Sequence, residues 1–153
     1  MAKHFSFIAE NVTPLSQNNR STALIAKLRN DLTVAHNIKY GIGTMPKTPR
    51  ISGSLQAKVF YIHRVPDYKD ADNISKPLWD SLNGHAYVDD EQIKYLETLK
   101  INVTTRDIFQ LDITDIDIFD LQVLLDFLDN TGGSKERILY VNVSDYESNK
   151  VRF

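Results

Sequence analysis

From Gln92 to Val103 the chain alternates. Ile93, Tyr95, Leu99, Ile101 and Val103 stand against Gln92, Lys94, Thr98, Lys100 and Asn102. A repeat of two is the period of a strand with one apolar face, so the chain must build a sheet. Glu97 is the one charge on the apolar face, and is read as the place where the strand leaves the core rather than as a ligand. Before and after this strand the period becomes helical. From Ser21, a good N-cap, Leu24, Ile25, Leu28, Leu32 and Ala35 fall on one helix face. Ile74, Leu78 and Leu82 share another, closed by Gly84. A capping box at Thr114 to Asp117 opens a third helix that runs to Gly132 and Gly133. HFSFIA, Leu55 to His63 and RILYVNV read as further strands; PLSQNNR and the Gly- and Pro-punctuated YGIGTMPKTPRISG read as loops. The expected fold is α+β, a small mixed β-sheet packed by helices, in a single domain over residues 1–153.

Composition removes several classes of function. A chain that is 42% hydrophobic and 25% charged can fill a globular core. The absence of cysteine excludes both a disulfide framework and a thiolate zinc site. The opening MAKHFSFIAENV lacks the apolar core of a signal peptide and no stretch approaches a membrane span, so a cytoplasmic location without a membrane partner is expected. The GGSK segment lacks the upstream glycine and spacer of a phosphate loop.

A net charge of −2 hides an asymmetry. Residues 1–60 carry eight Lys and Arg against two acids; residues 61–106 carry six against eight, and residues 107–153 four against ten. A basic front and an acidic back raise the question of a nucleic-acid surface.

The densest chemistry lies in KDADNISKPLWD, Lys69 to Asp80. In extended chain Asp70 and Asp72 would send both side chains to the same side. The helix then leads away, and YVDDEQI brings Asp89 and Asp90 to the start of the alternating strand, where helix–strand packing can return them beside the first pair. Two carboxylates about 4 Å apart repel by roughly 4 kcal/mol at an effective dielectric of about 20, so such a cluster needs protons or a cation. Hard oxygen ligands without cysteine or clustered histidine point to Mg²⁺ or Mn²⁺. A calcium loop is excluded, because Ser75 and Ser81 occupy the places of its glycine and glutamate. The plainer reading is that these aspartates only cap helices.

The segment DADNISKPLWDSLNGHAYVDDEQIKYLETLK resembles the core signature of the RusA family of Holliday junction resolvases. Asp70, Asp72, Asn73, Lys76, Asp80, Gly84, Asp89, Asp90, Gln92 and Ile93 follow in that signature's order, and the resemblance extends over residues 5–105. It implies a RusA-like homodimeric, Mg²⁺-dependent endonuclease that nicks four-way or branched DNA symmetrically in recombination and repair, with Mn²⁺ as a substitute. It also implies that Asp70, Asp72 and Asp90 are catalytic metal ligands, with Asp89 beside them, and that Lys76 is the active-site lysine. Phosphate contacts are expected from the basic front, at Arg20, Lys47 and Arg50, and from Lys69 and Lys76. Pro77 removes a backbone donor early in the helix and is expected to delay its regular part. Two other readings stay open: a junction-binding protein that no longer cuts, and an ordinary binding domain with structural aspartates.

Overall fold

The computed structural model describes residues 3–105, 110–129 and 135–148. In chain order the elements are β1 (Lys3–Glu10), α1 (Thr22–Tyr40), β2 (Leu55–His63), α2 (Ala71–Leu82), a 3-10 turn (Asp90–Gln92), β3 (Ile93–Asn102), α3 (Ile118–Asp129) and β4 (Arg137–Asp145). The four strands form one mixed sheet in the order β1-β4-β2-β3. β4 runs antiparallel to both β1 and β2, whereas β2 and β3 are parallel. The parallel pair needs a crossover, and α2 supplies it. The fold is the α+β arrangement expected.

Period two divides the sheet's side chains between two cores. Phe5, Phe7 and Ala9, Ala57, Val59 and Tyr61, and Leu139, Val141 and Val143 meet Leu28 and Leu32 of α1 and Ile74, Leu78 and Leu82 of α2. Ile8, Ile62 and Ile138 meet Leu124 and Phe127 of α3 in a smaller cluster. The protein is therefore layered, with α1 and α2 on one face of the sheet and α3 on the other.

Three local expectations are corrected. The alternating strand β3 is an edge strand in which no residue is fully buried. Tyr95, Leu96 and Leu99 stay substantially exposed, and Glu97 pairs with Lys58 on the neighbouring strand at 3.6 Å. Alternation there marks a pleat, not a covered face. The third helix starts at Ile118, and its cap is Asp117, whose carboxylate accepts the Asp120 N–H at 2.9 Å. Thr114 instead turns back on Asp112. The Gly132–Gly133 stop lies outside the described residues. Finally, Pro77 does not delay α2. The carbonyl that its missing N–H leaves over, that of Asn73, accepts the Gln17 N–H at 2.9 Å, so the helix is regular from Ala71.

The charge asymmetry is partly cancelled within the fold. Lys39, in the last turn of α1, reaches past the edge of β1, where its ammonium bonds Asp117, Asp120 (2.8 Å) and the Ser6 carbonyl (2.8 Å). Burial opposes that charge, but the hydrogen bonds to Asp117 and Asp120 outweigh it and hold the ammonium above its ordinary pKa. Tyr40 closes the same edge by accepting the Ser6 N–H at 3.0 Å. Asp120 is fully buried, so Lys39→Met would strand its charge and should cost about 3–5 kcal/mol in urea unfolding, with Lys39→Met/Asp120→Leu recovering most of the loss. A single variant within about 1 kcal/mol of wild type would show that this cluster does not hold α3 in place.

Candidate active site

The rotation of α2 is set by its apolar face. With Ile74, Leu78 and Leu82 in the core, the residues at 72, 75, 76 and 79 form the adjoining face at helical spacing. Asp72, Ser75, Lys76 and Trp79 line one wall of a groove of about 570 Å³. Asp90, from the 3-10 turn, and Ile93, Leu96 and Thr98, from β3, line the other.

The two aspartates of the D-x-D pair do not share a side, as extended chain would have placed them. Asp70 is the N-cap of α2, in extended backbone, and Asp72 is already helical. Two helical steps turn the chain by about 200°. Asp72 lines the groove, whereas Asp70 stands exposed at its head with no side-chain cap bond. Asn73 belongs to a neighbouring groove of about 520 Å³, together with Asp67, Lys69 and Arg137.

Helix–strand packing does return the second acidic pair. Gln92 anchors the turn: its amide oxygen accepts the Asp89 N–H at 2.9 Å, and its amide nitrogen donates to the carbonyls of Ile51 (3.0 Å) and Gly53 (2.9 Å). Asp89 caps that turn through the Glu91 N–H at 2.9 Å. Asp90 is left to face α2, where it accepts from Lys76 Nζ at 3.0 Å. Lys76 also bonds Asp80 at 2.5 Å, and Asp80 is bonded by Arg20 at 2.5 Å. The result is a chain of alternating charge, Arg20, Asp80, Lys76, Asp90. The hydrogen bond from Lys76 holds the Asp90 carboxyl below the usual carboxylate range, and the bonds to Asp80 and Asp90 hold Lys76 above its ordinary value.

Of the expected DNA contacts, Arg20 and Lys76 belong to this charged chain. Lys69 pairs with Asp67 at 3.1 Å, a buried carboxylate that also accepts the Tyr61 hydroxyl at 2.8 Å. Lys100 donates to the carbonyls of Asp67 and Lys69, both at 2.5 Å, and so pins the loop that leads into Asp70. Lys47 and Arg50 do not line the groove. Lys47 lies over the rings of Phe5 and Tyr40, where burial lowers its pKa, and Arg50 donates to the Gly84 carbonyl at 2.9 Å behind α2.

A family model described as endodeoxyribonuclease RusA matches residues 17–108. The chain belongs to the RusA family. In this RusA-family chain the match takes in α1, β2, α2, the 3-10 turn and β3, hence every residue named above as lining the groove between α2 and β3, and leaves out β1, α3 and β4. No curated protein matches the chain.

Among the described residues, no three His, Cys, Asp or Glu side chains are gathered closely enough to hold a metal by themselves. Mg²⁺ does not require that. It commonly keeps several waters and takes one or two carboxylates together with substrate phosphate. Asp72 and Asp90 in one groove fit that donor set, and Lys76 supplies the positive charge between the walls. Ser75, Trp79 and Asp67 were not among the expected site residues. Their signal was available for two of them, since positions 75 and 79 repeat the helical phase of 72 and 76.

The Asp90–Lys76 pair gives a pH prediction. A depressed carboxylate contributes stability that is present above its unfolded pKa and lost as the pH falls through the folded one. Asp90 should therefore titrate below the ordinary aspartate range in wild type and move up in Lys76→Met, followed by carboxyl-carbon NMR. The same titration in both proteins would show that the pair does not form in solution.

Proposed function

We propose that this RusA-family chain is a Mg²⁺-dependent endonuclease that resolves four-way DNA junctions in recombination and repair, acting as a homodimer. The observation that supports this most is the convergence of Asp72, Lys76 and Asp90 on one groove in a chain of an endodeoxyribonuclease family.

Asp72 and Asp90 would hold Mg²⁺, for which Mn²⁺ can substitute, and Asp70 at the head of α2 and Asp89 in the cap of the turn would be the further carboxylates near it. When bound, the metal neutralises charge on the attacked phosphate and makes water a better nucleophile. Lys76 has a separate task. Its ammonium stays protonated through its carboxylate neighbours, and one phosphate oxygen can replace the Asp90 bond while Asp80 keeps the side chain in place. It then opposes the negative charge that grows on the phosphate in the transition state. Arg20, which holds Asp80, and Lys69, at the neighbouring groove, extend the positive charge along the DNA backbone. Lys47 and Arg50 contribute to phosphate binding from the far end of α2, and the exposed Arg50 is the more available of the two.

A four-way junction is close to two-fold symmetric, and paired nicks require two equivalent groups of catalytic residues. The protein should sediment as a dimer at micromolar concentration without DNA; a chain that stays monomeric even on a junction would remove the paired-cleavage reading.

Cleavage is tested with a labelled synthetic four-way junction, with and without Mg²⁺. Asp72→Asn and Asp90→Asn should each lower the cleavage rate by orders of magnitude. Metal-free junction binding should be unchanged or tighter, since a charge facing phosphate is lost. If these aspartates only cap helices, Asn serves almost equally well and cleavage should survive. A wild-type protein that binds junctions and never cuts them would favour the idle binding protein.

A further inference from the structure

Five buried side-chain polar atoms lack a hydrogen-bond partner among the described residues, and two of them, Ser75 Oγ and Trp79 Nε1, belong to residues that line the candidate groove. Ser75 is 5% exposed and Trp79 3%. Neighbouring groups on the same helix show that partners were within reach of evolution's choices here. Ser81 Oγ donates back to the Leu78 carbonyl at 2.6 Å, and the Trp79 carbonyl accepts the Tyr87 hydroxyl at 2.5 Å. A buried donor without an acceptor opposes folding. Alanine at 75 would remove that burden with little change in packing, so stability does not explain the serine; phenylalanine at 79 would remove the unpaired donor but leave empty part of the space that Trp79 fills in the core.

The rest of the groove suggests what completes them. Its volume falls within the range of ordinary ligand pockets, roughly 300–1,000 Å³. Asp72 and Lys76 of α2 and Asp90 of the turn form its charged part; Ile93 and Leu96 of β3, the latter 48% exposed, form its apolar part. A nucleotide has the same division: an anionic phosphate on one side and a largely apolar sugar and base face on the other.

We propose that Ser75 and Trp79 are DNA-contact residues whose Oγ and Nε1, closed off in the DNA-free protein, turn out on binding to donate to acceptor atoms of the nucleotide beside the cut phosphate, whose sugar and base rest against Ile93 and Leu96. This rests on the junction-cleavage reading above and adds to it a nucleotide subsite that works without metal. The chain holds a single tryptophan, so Trp79 also reports on its own site.

Two measurements test it. In the first, wild-type protein without metal is titrated with a four-way junction while tryptophan emission and the anisotropy of a labelled junction are followed together. The emission should change with the same midpoint as the anisotropy. Emission that is flat while the junction saturates the protein would overturn the proposal, and this needs no variant. In the second, Ser75→Ala and Trp79→Phe are compared with wild type for thermal stability, metal-free junction affinity and single-turnover cleavage with Mg²⁺. Ser75→Ala should be as stable as wild type or more so and Trp79→Phe somewhat less stable but folded at the assay temperature, yet each should bind and cleave roughly three- to tenfold less well, the worth of one hydrogen bond. A loss that depends on the base beside the cut places the contact on the base edge, and a uniform loss places it on the backbone; both support the subsite. Folded variants that bind and cut like wild type would sink it. That result, with wild type cutting and Asp72→Asn inactive, leaves the nuclease reading intact; a wild type that cuts nothing removes the nuclease reading, and the emission titration still decides whether DNA enters the groove.

Discussion

Burial of Ile74, Leu78 and Leu82 beneath the sheet governs the rest of the molecule's chemistry. A helix twelve residues long has only one rotation that hides those three side chains. That rotation presents Asp72, Ser75, Lys76 and Trp79 to the space beside β3 and places Asp70 at the helix head. Several contacts then hold the helix at both ends. Gln17 takes the carbonyl that Pro77 leaves over, while Arg29 and Arg50 donate to the carbonyls of Ser81 and Gly84 at 2.6 and 2.9 Å. Cations beside the last carbonyls also suit the negative end of the helix dipole.

The groove's electrostatics follow from that placement. Acidic residues brought together from two elements repel, and the chain answers with Lys76 between Asp80 and Asp90 and Arg20 behind Asp80. Every one of these pairs is at least partly exposed, so none is a large source of stability. Their value is positional: the lysine is kept charged, and kept within reach of whatever lies across the groove. Ser75 and Trp79 differ in kind, because their polar atoms are buried without a partner. Departures of this sort from local consistency tend to collect where a protein acts.

Away from the groove, the acidic C-terminal part has a structural task. α3 covers the second face of the sheet with Leu124 and Phe127, and Lys39 binds its N-terminal aspartates around the edge of β1. At its other end Arg64 donates to the Phe127 carbonyl and lies over the Phe127 ring, 4.3 Å from its centre. The basic front and the acidic back of the sequence meet in part, through Lys39 with Asp117 and Asp120 and through His4, 2.6 Å from Asp145. A charge asymmetry along a chain thus need not be an asymmetry on its surface.

By itself the sequence determined the elements whose signals are local. Ser21 accepts the Leu24 N–H as an N-cap should, Leu55 to His63 is a strand, and Gly84 takes a positive φ of 70° just past α2. The acidic motif was legible too, because its spacing around one helix and one turn can be read from neighbours in the chain. Strand order was not. β4, last in sequence, lies inside the sheet between β1 and β2, and the best alternating segment became an edge. Alternation records a pleat but not which strand lies alongside, and that is settled by which faces can be buried together. The same limit applied to the site. Local pattern nominated Asp72 and Asp90 but could not show that Lys76 bridges Asp80 and Asp90, or that Lys47 is drawn away onto Phe5 and Tyr40. Only the packed helix, sheet and turn decide which charges come within a few ångströms of one another, because that distance is a property of the tertiary structure and not of the spacing along the chain.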